Sequence, residues 1–370
     1  MSQTSQLLRQ RAIEGGTPVL DGTDATFLWR GDPPPQLIGD FTGWEDGDPL
    51  DLQAVGAGLW ALTLAFPRDA YLEYAFWQDD ERLADPLNPH KTPDGFGHDN
   101  HYFYMPGASP TSLARRRRVP HGELSRYVIE DPFLLAGSSR PLYLYRPPAP
   151  GPCPLLVVLD GQDYRRRAKL INMVDNLIAQ GRIYPLALAL LHHGGPARGV
   201  EYACSEATLG VLIEHVLPLV RSELGLVDVE AQPGAYGVLG ASMGGLMALY
   251  AGLRLPHLFG HVLSQSGAFT LGDYHTVVWD LVRHGPVRPL RLWMDVGRYE
   301  WLLDCNRGMH ELLVERGYEV HYQEHNTGHN YPAWRDRLPE ALTWLWAREG
   351  AESRGRRKSV PLHPRQRPAP

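Results

Sequence analysis

The chain has 370 residues, of which 43% are hydrophobic, so it exceeds one ordinary domain and two packed cores are expected. Its net charge of −6 gives no case for a nucleic-acid partner, and its three scattered cysteines make neither a disulfide framework nor a thiolate zinc site. Residues 1–16 lack the apolar core of a signal peptide, and no apolar run reaches membrane-spanning length, so we expect a cytoplasmic protein with no membrane partner.

Residues 20–107 have the composition of a small all-β domain. Short apolar runs are separated by Gly, Pro and Asp turns, and residues 59–66 alternate strictly, which places Trp60, Leu62 and Leu64 on one face. Strands of this length and spacing predict an antiparallel, immunoglobulin-like sandwich.

This segment resembles the early-set, carbohydrate-module-48-like domains found in front of glycogen-branching and isoamylase-type enzymes. The resemblance rests on residues 39–44 (GDFTGW), 58–60 (GLW) and 85–89 (DPLNP). It implies a fold but little about function, because many such domains bind no sugar. We therefore assign the tryptophans of this segment to core packing or to contact with the next domain, in preference to a sugar-stacking surface.

The composition changes at residues 108–121, where Ser and Pro precede four arginines at 115–118, and a solvated linker is favoured over a site that grips an anion. From 122 to 349, continuous apolar runs alternate with helical patterns, which predicts a mostly parallel sheet with helices on both faces. Residues 350–370 are rich in Arg and Pro without apolar periodicity, so a disordered tail is expected.

The second segment contains its strongest motif at residues 240–244, Gly-Ala-Ser-Met-Gly, which is a G-x-S-x-G nucleophile elbow. An apolar run at 235–239 precedes it as a predicted strand, and residues 244–250 follow as a predicted helix. The glycines let two backbones pass at a sharp turn, and Ser242 then projects beyond the sheet edge at a helix N-terminus. This pattern predicts an α/β-hydrolase with Ser242 as its nucleophile.

A serine nucleophile needs a base and an acid that orients it, and in this fold the acid and then the histidine follow the serine along the chain. His329 lies in a turn-rich loop before the final predicted helix, and we prefer it to His325 at the end of a predicted strand. Three carboxylates stay open as the acid. Glu300, in the loop after the penultimate strand, is favoured over Asp304, one helical turn later, and over Asp295, within the strand.

An oxyanion hole needs two N–H groups aimed at the place where negative charge develops. The elbow supplies the N–H of Met243. For the second donor we choose the N–H of Gln162, in the loop that follows an early strand. Its neighbour Gly161 allows close approach to that backbone, so we include it among the substrate-binding residues.

Four further residues are assigned to substrate contact, and each has a structural alternative. Arg198 and Glu201 bind a carboxylate or phenol of the substrate, or they form an ion pair with each other. Phe269 and Trp334 line the pocket, or they serve packing alone.

Together these motifs resemble the enterochelin (ferric enterobactin) esterase group of the esterase D-type α/β-hydrolases, which also includes feruloyl esterases. The resemblance rests on residues 159–162, 198–204, 217–220, 240–245, 264–269, 297–300 and 328–334. It implies ester chemistry of the siderophore-esterase type, and the family's Gly-x-x-Glu position supports Glu300 as the acid.

The sequence therefore predicts a serine carboxylic-ester hydrolase that acts on a small-molecule ester without a cofactor or a metal. One alternative substrate is a feruloyl or acetyl ester linked to carbohydrate. An alternative of another class is a carbohydrate-binding protein with a degenerate hydrolase domain, which predicts a broken triad, whereas serine, acid and histidine all occur in order. Whether identical chains form a homo-oligomer stays open.

Overall fold

The computed structural model of the chain describes residues 10–11, 15–56, 58–95 and 97–348. The tail expected at 350–370 lies outside the described residues. Within them, no single helix is long and apolar enough to cross a membrane, and the pair Gly195–Tyr202 and Glu206–Glu223 passes that test only when joined across a bend of 99°.

Residues 19–104 are mostly β, and we call them the front β region. Its strands are β1 (Val19–Asp21), β2 (Asp24–Arg30), β3 (Gln36–Gly39), β4 (Leu50–Asp51), β5 (Gln53–Gly56), β6 (Leu59–Ala65), β7 (Tyr71–Gln78), β8 (Glu81–Leu83), β9 (Lys91–Pro93) and β10 (Asp99–Tyr104). They form two antiparallel sheets, in the orders β1-β2-β6-β5 and β4-β3-β7-β10-β9, with β8 paired to β7.

The two sheets of the front β region enclose one apolar core. Phe27 from one sheet and Leu72 and Phe76 from the other each have 0% of their surface exposed. Trp29 packs edge-on against Phe76 with ring centroids 5.0 Å apart, and Trp60 packs against the same core. These two tryptophans therefore contribute to packing.

Residues 123–346 form the second part of the fold. Its strands are β11 (Glu123–Glu130), β12 (Ser139–Arg146), β13 (Leu155–Val158), β14 (Ala187–Leu191), β15 (Tyr236–Ala241), β16 (Phe259–Gln265), β17 (Thr270–Leu271), β18 (Tyr274–His275), β19 (Arg291–Gly297) and β20 (Glu319–His325). Its helices are α1 (Gly161–Arg166), α2 (Leu170–Ala179), α3 (Arg198–Tyr202), α4 (Glu206–Glu223), α5 (Met243–Arg254), α6 (Val277–His284), α7 (Leu303–Glu315) and α8 (Tyr331–Trp346).

Eight of these strands form one sheet in the order β11-β12-β14-β13-β15-β16-β19-β20. β12 runs antiparallel to both of its neighbours, and every pair from β14 to β20 is parallel. The carboxyl ends of the parallel strands therefore meet at one edge of the sheet. In open sheets of this kind, that edge is where ligands bind.

Helices cover both faces of the sheet. Val157 of β13 packs in one core with Leu246 of α5, whereas its neighbour Leu156 packs in a second core with Leu342 of α8. All four side chains have 0% of their surface exposed. Successive residues of a strand point to opposite faces, so a strand covered on both sides must be apolar throughout.

The segment predicted as a solvated linker, residues 108–121, is partly packed. Leu113 lies in a 3₁₀ turn, Ser112–Ala114, with its side chain buried in the core beneath α2. The side-chain amide of Asn176, on α2, donates to the carbonyl of Leu113 at 2.8 Å. The buried side chain and further hydrogen bonds from α2 to the carbonyls of Ala114 and Arg115 hold this segment against the second part of the fold, while the side chains of the arginines at 115–118 are exposed.

A carboxyl group lies within the core close to the carboxyl edge of the sheet. Asp295, on β19, is 1% exposed. It accepts hydrogen bonds from the side-chain amide of Gln265 at 3.1 Å and from the indole of Trp293 at 2.7 Å. Burial is the largest influence on this carboxyl and raises its pKa to about 7.

Replacing Asp295 by asparagine tests this assignment. An aspartate has a pKa of about 4 in an unfolded chain, so between pH 4 and 7 the folded chain binds the extra proton. The wild-type free energy of unfolding should therefore fall as pH rises, by at most about 1.4 kcal/mol per pH unit. We expect the stability of Asp295→Asn, measured relative to wild type by urea unfolding, to improve steadily over this range.

The matched control is Asp304→Asn, because the side chain of Asp304 is 95% exposed. This variant should keep the wild-type fall in stability with rising pH, because Asp295 is unchanged in it. A constant difference between Asp295→Asn and wild type would show that the carboxyl of Asp295 is not perturbed by the fold.

Candidate active site

Ser242 stands in a sharp turn between β15 and α5. Its backbone has φ 59° and ψ −123°, which non-glycine residues rarely adopt, and its side chain makes no hydrogen bond that caps the helix. A Cβ on Gly240 would lie 2.2 Å from the carbonyl oxygen of Gly244, so glycine is required where the strand and helix pass. The N–H of Ser242 donates to the carbonyl of Gln265 at 2.9 Å, which ties the turn to the neighbouring strand β16.

Two helix N-termini meet beside this turn. Met243 is the first residue of α5, and Gln162 is the second residue of α1. N–H groups in the first turn of a helix have no partner within that helix, so both are available to an oxyanion. A Cβ on Gly244 would lie 3.1 Å from a carboxylate oxygen of Asp160, the residue before α1, so the two helix starts adjoin.

Gly161 is buried and closely packed. A Cβ at this position would lie 2.4 Å from the carbonyl carbon of Leu190 on β14. The close approach that the sequence suggested at Gly161 is therefore an approach to the neighbouring strand. Its own contribution is to let α1 begin directly at the sheet edge.

The imidazole of His329 is paired with Glu300. Nδ1 of His329 bonds to one carboxylate oxygen of Glu300, whose side chain is 0% exposed. The other carboxylate oxygen accepts from the hydroxyl of Ser266 at 2.6 Å and from the N–H of Gly297 at 2.5 Å. These hydrogen bonds, together with the contact to His329, fix the orientation of the carboxyl group.

Two tryptophans flank the imidazole. Trp334 meets it edge to face, with ring centroids 4.9 Å apart, and donates its indole N–H to Ser266 at 2.9 Å. Trp301 lies on the solvent side, with its ring centroid 4.6 Å from that of His329, and it is 72% exposed. Sequence reasoning missed Trp301, although it directly follows Glu300.

A short chain of contacts connects the serine with the histidine. Ser242 bonds through its N–H to Gln265, the next residue Ser266 bonds to Glu300, and Glu300 bonds to His329. Among the described contacts there is no hydrogen bond between the Ser242 hydroxyl and the imidazole.

The other candidate acids lie elsewhere. Asp304 is 95% exposed and pairs with Arg307 at 3.4 Å. Asp295 directs both carboxylate oxygens into the core, as described above. The alternative base, His325, is largely buried, and burial lowers its pKa to about 3. Of the candidates, only Glu300 and His329 are brought together.

Arg198 and Glu201 do not pair with each other. Two nitrogens of Arg198 donate to the carboxylate of Asp160, each at 2.7 Å, and one also donates to the carbonyl of Ala241 at 3.1 Å. Glu201 pairs with Arg140 and accepts from the N–H of Gly194 at 2.9 Å. Each side chain is therefore engaged in holding a loop at the sheet edge.

For Phe269, the structure agrees with the packing alternative. Its ring is 0% exposed and packs in the core beneath α5. Its backbone carbonyl accepts from the indole of Trp279 at 2.9 Å. Trp334 is 6% exposed, so its contacts with Ser266 and His329 place it behind the imidazole. In both cases an aromatic side chain near the motif serves packing.

No metal centre is apparent in the described part of the chain. Within those residues, no group of three or more His, Cys, Asp or Glu side chains is placed to hold a metal ion.

The chain is similar to known esterases. The model of the Esterase family, described as "Putative esterase", matches residues 136–345. The iron(III) enterobactin esterase of Dickeya dadantii (strain 3937) is 27% identical, over 91% of this chain and 92% of that protein.

Solved structures show the same fold. The ferric enterobactin esterase from Salmonella typhimurium superposes with a TM-score of 0.74 at 23% identity, covering 87% of this chain and 93% of that one. The enterobactin esterase from Shigella flexneri, crystallised in the presence of enterobactin, superposes with a TM-score of 0.72 at 23% identity, covering 87% of this chain and 92% of that one. These neighbours are esterases of the α/β-hydrolase type. The chain thus belongs to the Esterase family, and it is a carboxylic-ester hydrolase that is similar to the iron(III) enterobactin esterases.

Proposed function

We propose that the chain hydrolyses esters through Ser242, His329 and Glu300. The observation that carries the proposal is the pairing of His329 with a fully buried Glu300 at the sheet edge where the strained Ser242 stands. A serine needs a base to take its proton, and the base needs an acid to hold its tautomer. With Nδ1 bonded to Glu300, we assign the proton transfer from Ser242 to the other ring nitrogen, Nε2.

The steps follow from the positions of these groups. Ser242 attacks the ester carbonyl while Nε2 of His329 takes the hydroxyl proton, and the N–H groups of Met243 and Gln162 bind the oxyanion. The imidazolium then protonates the departing alcohol. A water molecule, deprotonated by the same imidazole, attacks the acyl-enzyme, and the imidazolium returns the proton to the oxygen of Ser242 as the acid is released. Glu300 stabilises the imidazolium throughout.

For the substrate we propose a siderophore-type ester with an aromatic, anionic portion. Trp301 supports the aromatic part, because its exposed indole beside His329 is free to stack on a planar ring. Positive charge supports the anionic part. Burial and then the charges of Arg165 and Arg166 lower the pKa of His192, which follows β14, to about 4.

Both arginines lie on α1, the helix that carries the proposed oxyanion donor. The N–H of His193 donates to the side chain of Gln162 at 3.4 Å. A feruloyl ester is the second candidate, since the same exposed indole would stack on its ring.

The remaining features of the proposal rest on the sequence pattern. We infer an immunoglobulin-like early-set domain at 20–107 followed by the hydrolase domain at 122–349. The expected location is the cytoplasm. The rival class, a carbohydrate-binding protein with a degenerate hydrolase domain, is not supported, because His329 and Glu300 are paired.

Substituting the nucleophile and the base provides the first test. Ser242→Ala and His329→Ala should each lose at least about 10³-fold in kcat on p-nitrophenyl acetate, and the double variant should be little worse, because the two groups act as one unit. A fluorophosphonate should label wild type and not Ser242→Ala. Strong turnover by Ser242→Ala, with folding checked by circular dichroism, would contradict the assignment.

The acid is tested by a pair of isosteric changes. Glu300→Gln retains size but loses the charge that stabilises the imidazolium, so kcat should fall roughly 10²–10⁴-fold. Asp304→Asn is the control, since this carboxylate lies in solvent beside Arg307. Collapse of turnover in Asp304→Asn with near-normal Glu300→Gln would move the acid to Asp304.

Trp301→Ala tests the aromatic portion of the substrate. Loss of a stacking partner worth about 1–1.5 kcal/mol should lower kcat/KM for catecholate and feruloyl esters roughly fivefold to tenfold. The loss on an acetyl ester should be smaller, because an acetyl group has no ring to stack and only the contact of Trp301 with His329 is then removed. The control is Phe133→Ala, which removes a ring that is 93% exposed in the turn after β11. Equal losses on all three esters would refute the stacking role.

A further inference from the structure

The turn that precedes His329, residues 326–328, is in contact with the front β region. The N–H of Tyr71, the first residue of β7, donates to the carbonyl of Asn326 at 3.1 Å. Tyr71 also forms an isolated parallel β-bridge with Thr327. The side chain of Asn326 donates to Asp69 at 2.7 Å. The backbone of Tyr71 and the side chain of Asp69 thus attach consecutive residues of the turn to the segment that begins β7.

The opposite side of the turn rests on the loop that carries Glu300. The N–H of Tyr299 donates to the carbonyl of Thr327 at 3.1 Å. A Cβ on Gly297 would lie 2.3 Å from the same carbonyl oxygen, so the two backbones are in close contact. The turn therefore has the acid on one side and the front β region on the other.

Asp40 closes the turn from behind. A Cβ on Gly328 would lie 2.1 Å from the carboxyl carbon of Asp40, so the carboxyl group occupies the space that a side chain at 328 would need. Asp40 is 6% exposed and accepts from the indole of Trp44 at 3.0 Å and from the N–H of Glu73 at 2.8 Å. These bonds hold the carboxyl in one position against the residue before His329.

Glu73, whose N–H donates to Asp40, is itself held by hydrogen bonds. Glu73 is 2% exposed and accepts from the hydroxyl of Tyr71 and from the side chain of Asn100, both at 2.9 Å. Burial, and then the charge of Glu73, raises the pKa of Asp40 well above its ordinary value. The charge of Glu300 acts in the same direction, which places Asp40 within electrostatic reach of the acid. A buried network with satisfied partners is rigid, as a support must be.

We propose that Asp40 is a positioning residue for hydrolysis, which fixes the imidazole of His329 through its contact with Gly328. The inference rests on the proposed function, in which His329 is the base. It gives the front β region a task in the reaction that needs no glycan. Misplacing a reacting group by about 1 Å costs roughly 10²-fold in rate, so the support affects kcat although it touches no substrate.

The proposal is tested by changing the size of the side chain on each side of the contact between Asp40 and Gly328. Asp40→Ala leaves a gap behind the turn, and Gly328→Ala forces a methyl group into the Asp40 carboxyl, so each should lower kcat on p-nitrophenyl acetate by roughly 10-fold to 10²-fold with KM little changed. The double variant should recover most of the loss, because the methyl group enters the vacated space. Asp40→Asn keeps the volume but loses one of the two acceptor oxygens, so its kcat should lie between those of wild type and Asp40→Ala.

Asp99→Ala is the matched control, since it removes an exposed carboxylate from β10 of the same region. If Asp40→Ala does not fold, Asp69→Ala replaces it. This change removes the exposed hydrogen bond between Asp69 and Asn326, which holds the same turn, and it should lower kcat severalfold. Melting temperatures identify variants that are merely unfolded.

The outcomes separate the two claims. Wild-type kcat in Asp69→Ala and Gly328→Ala, or additive losses in a folded double variant, would overturn the positioning role. If His329→Ala also retains turnover, the proposed function fails. If His329→Ala is inactive while the front variants are normal, only the present inference fails.

Discussion

The strained backbone of Ser242 is the constraint on which the site depends. A non-glycine residue in such a conformation costs about 1–3 kcal/mol and persists only where its surroundings hold it. Here the neighbouring strand does so from both sides: the carbonyl of Gln265 accepts from the N–H of Ser242, and the N–H of Ala268 donates to its carbonyl. The end of β16 then continues into Ser266, which bonds to Glu300. The segment that keeps the serine strained therefore also places the acid.

Beneath this edge lies a polar core centred on Gln265. Its side chain is 0% exposed, accepts from the hydroxyl of Tyr164 at 3.0 Å, and donates to Asp295 and to the carbonyl of Trp334. These partners come from α1, β19 and α8, so a single amide connects three elements that carry parts of the site. Buried polar groups with full sets of partners specify one arrangement of the elements around them, which an apolar core would do less strictly.

The parts of the site that could be predicted from sequence are those set by local turn chemistry and chain order. The elbow around Ser242 needs glycine at fixed offsets, and Glu300 and His329 lie in loops after consecutive strands. What could not be predicted depends on contacts between distant residues. Glu201 finds Arg140, 61 positions earlier, in place of its helix neighbour. A pattern of residue types does not say which of several charges will be nearest.

Burial was the other quantity that the sequence left open. Phe269 lies close to the motif yet points into the core, whereas Trp301 is the ring that reaches solvent. Both are large aromatics in loops, and only the path of the backbone decides which face they take. The packed Leu113 in the predicted linker has the same origin, because one apolar residue among polar ones gives no periodicity to read.

The β-bridge between Tyr71 and Thr327 affects which front segments can be exchanged between related esterases. The bridge joins two backbones, so it does not depend on the identity of the side chains. Any front segment with a strand that begins at the same position can form it. The fit between Asp40 and Gly328 is different, because it is a match of sizes. Recombination between related esterases is therefore constrained at this pair of positions, where the residues from the two parents must match in size.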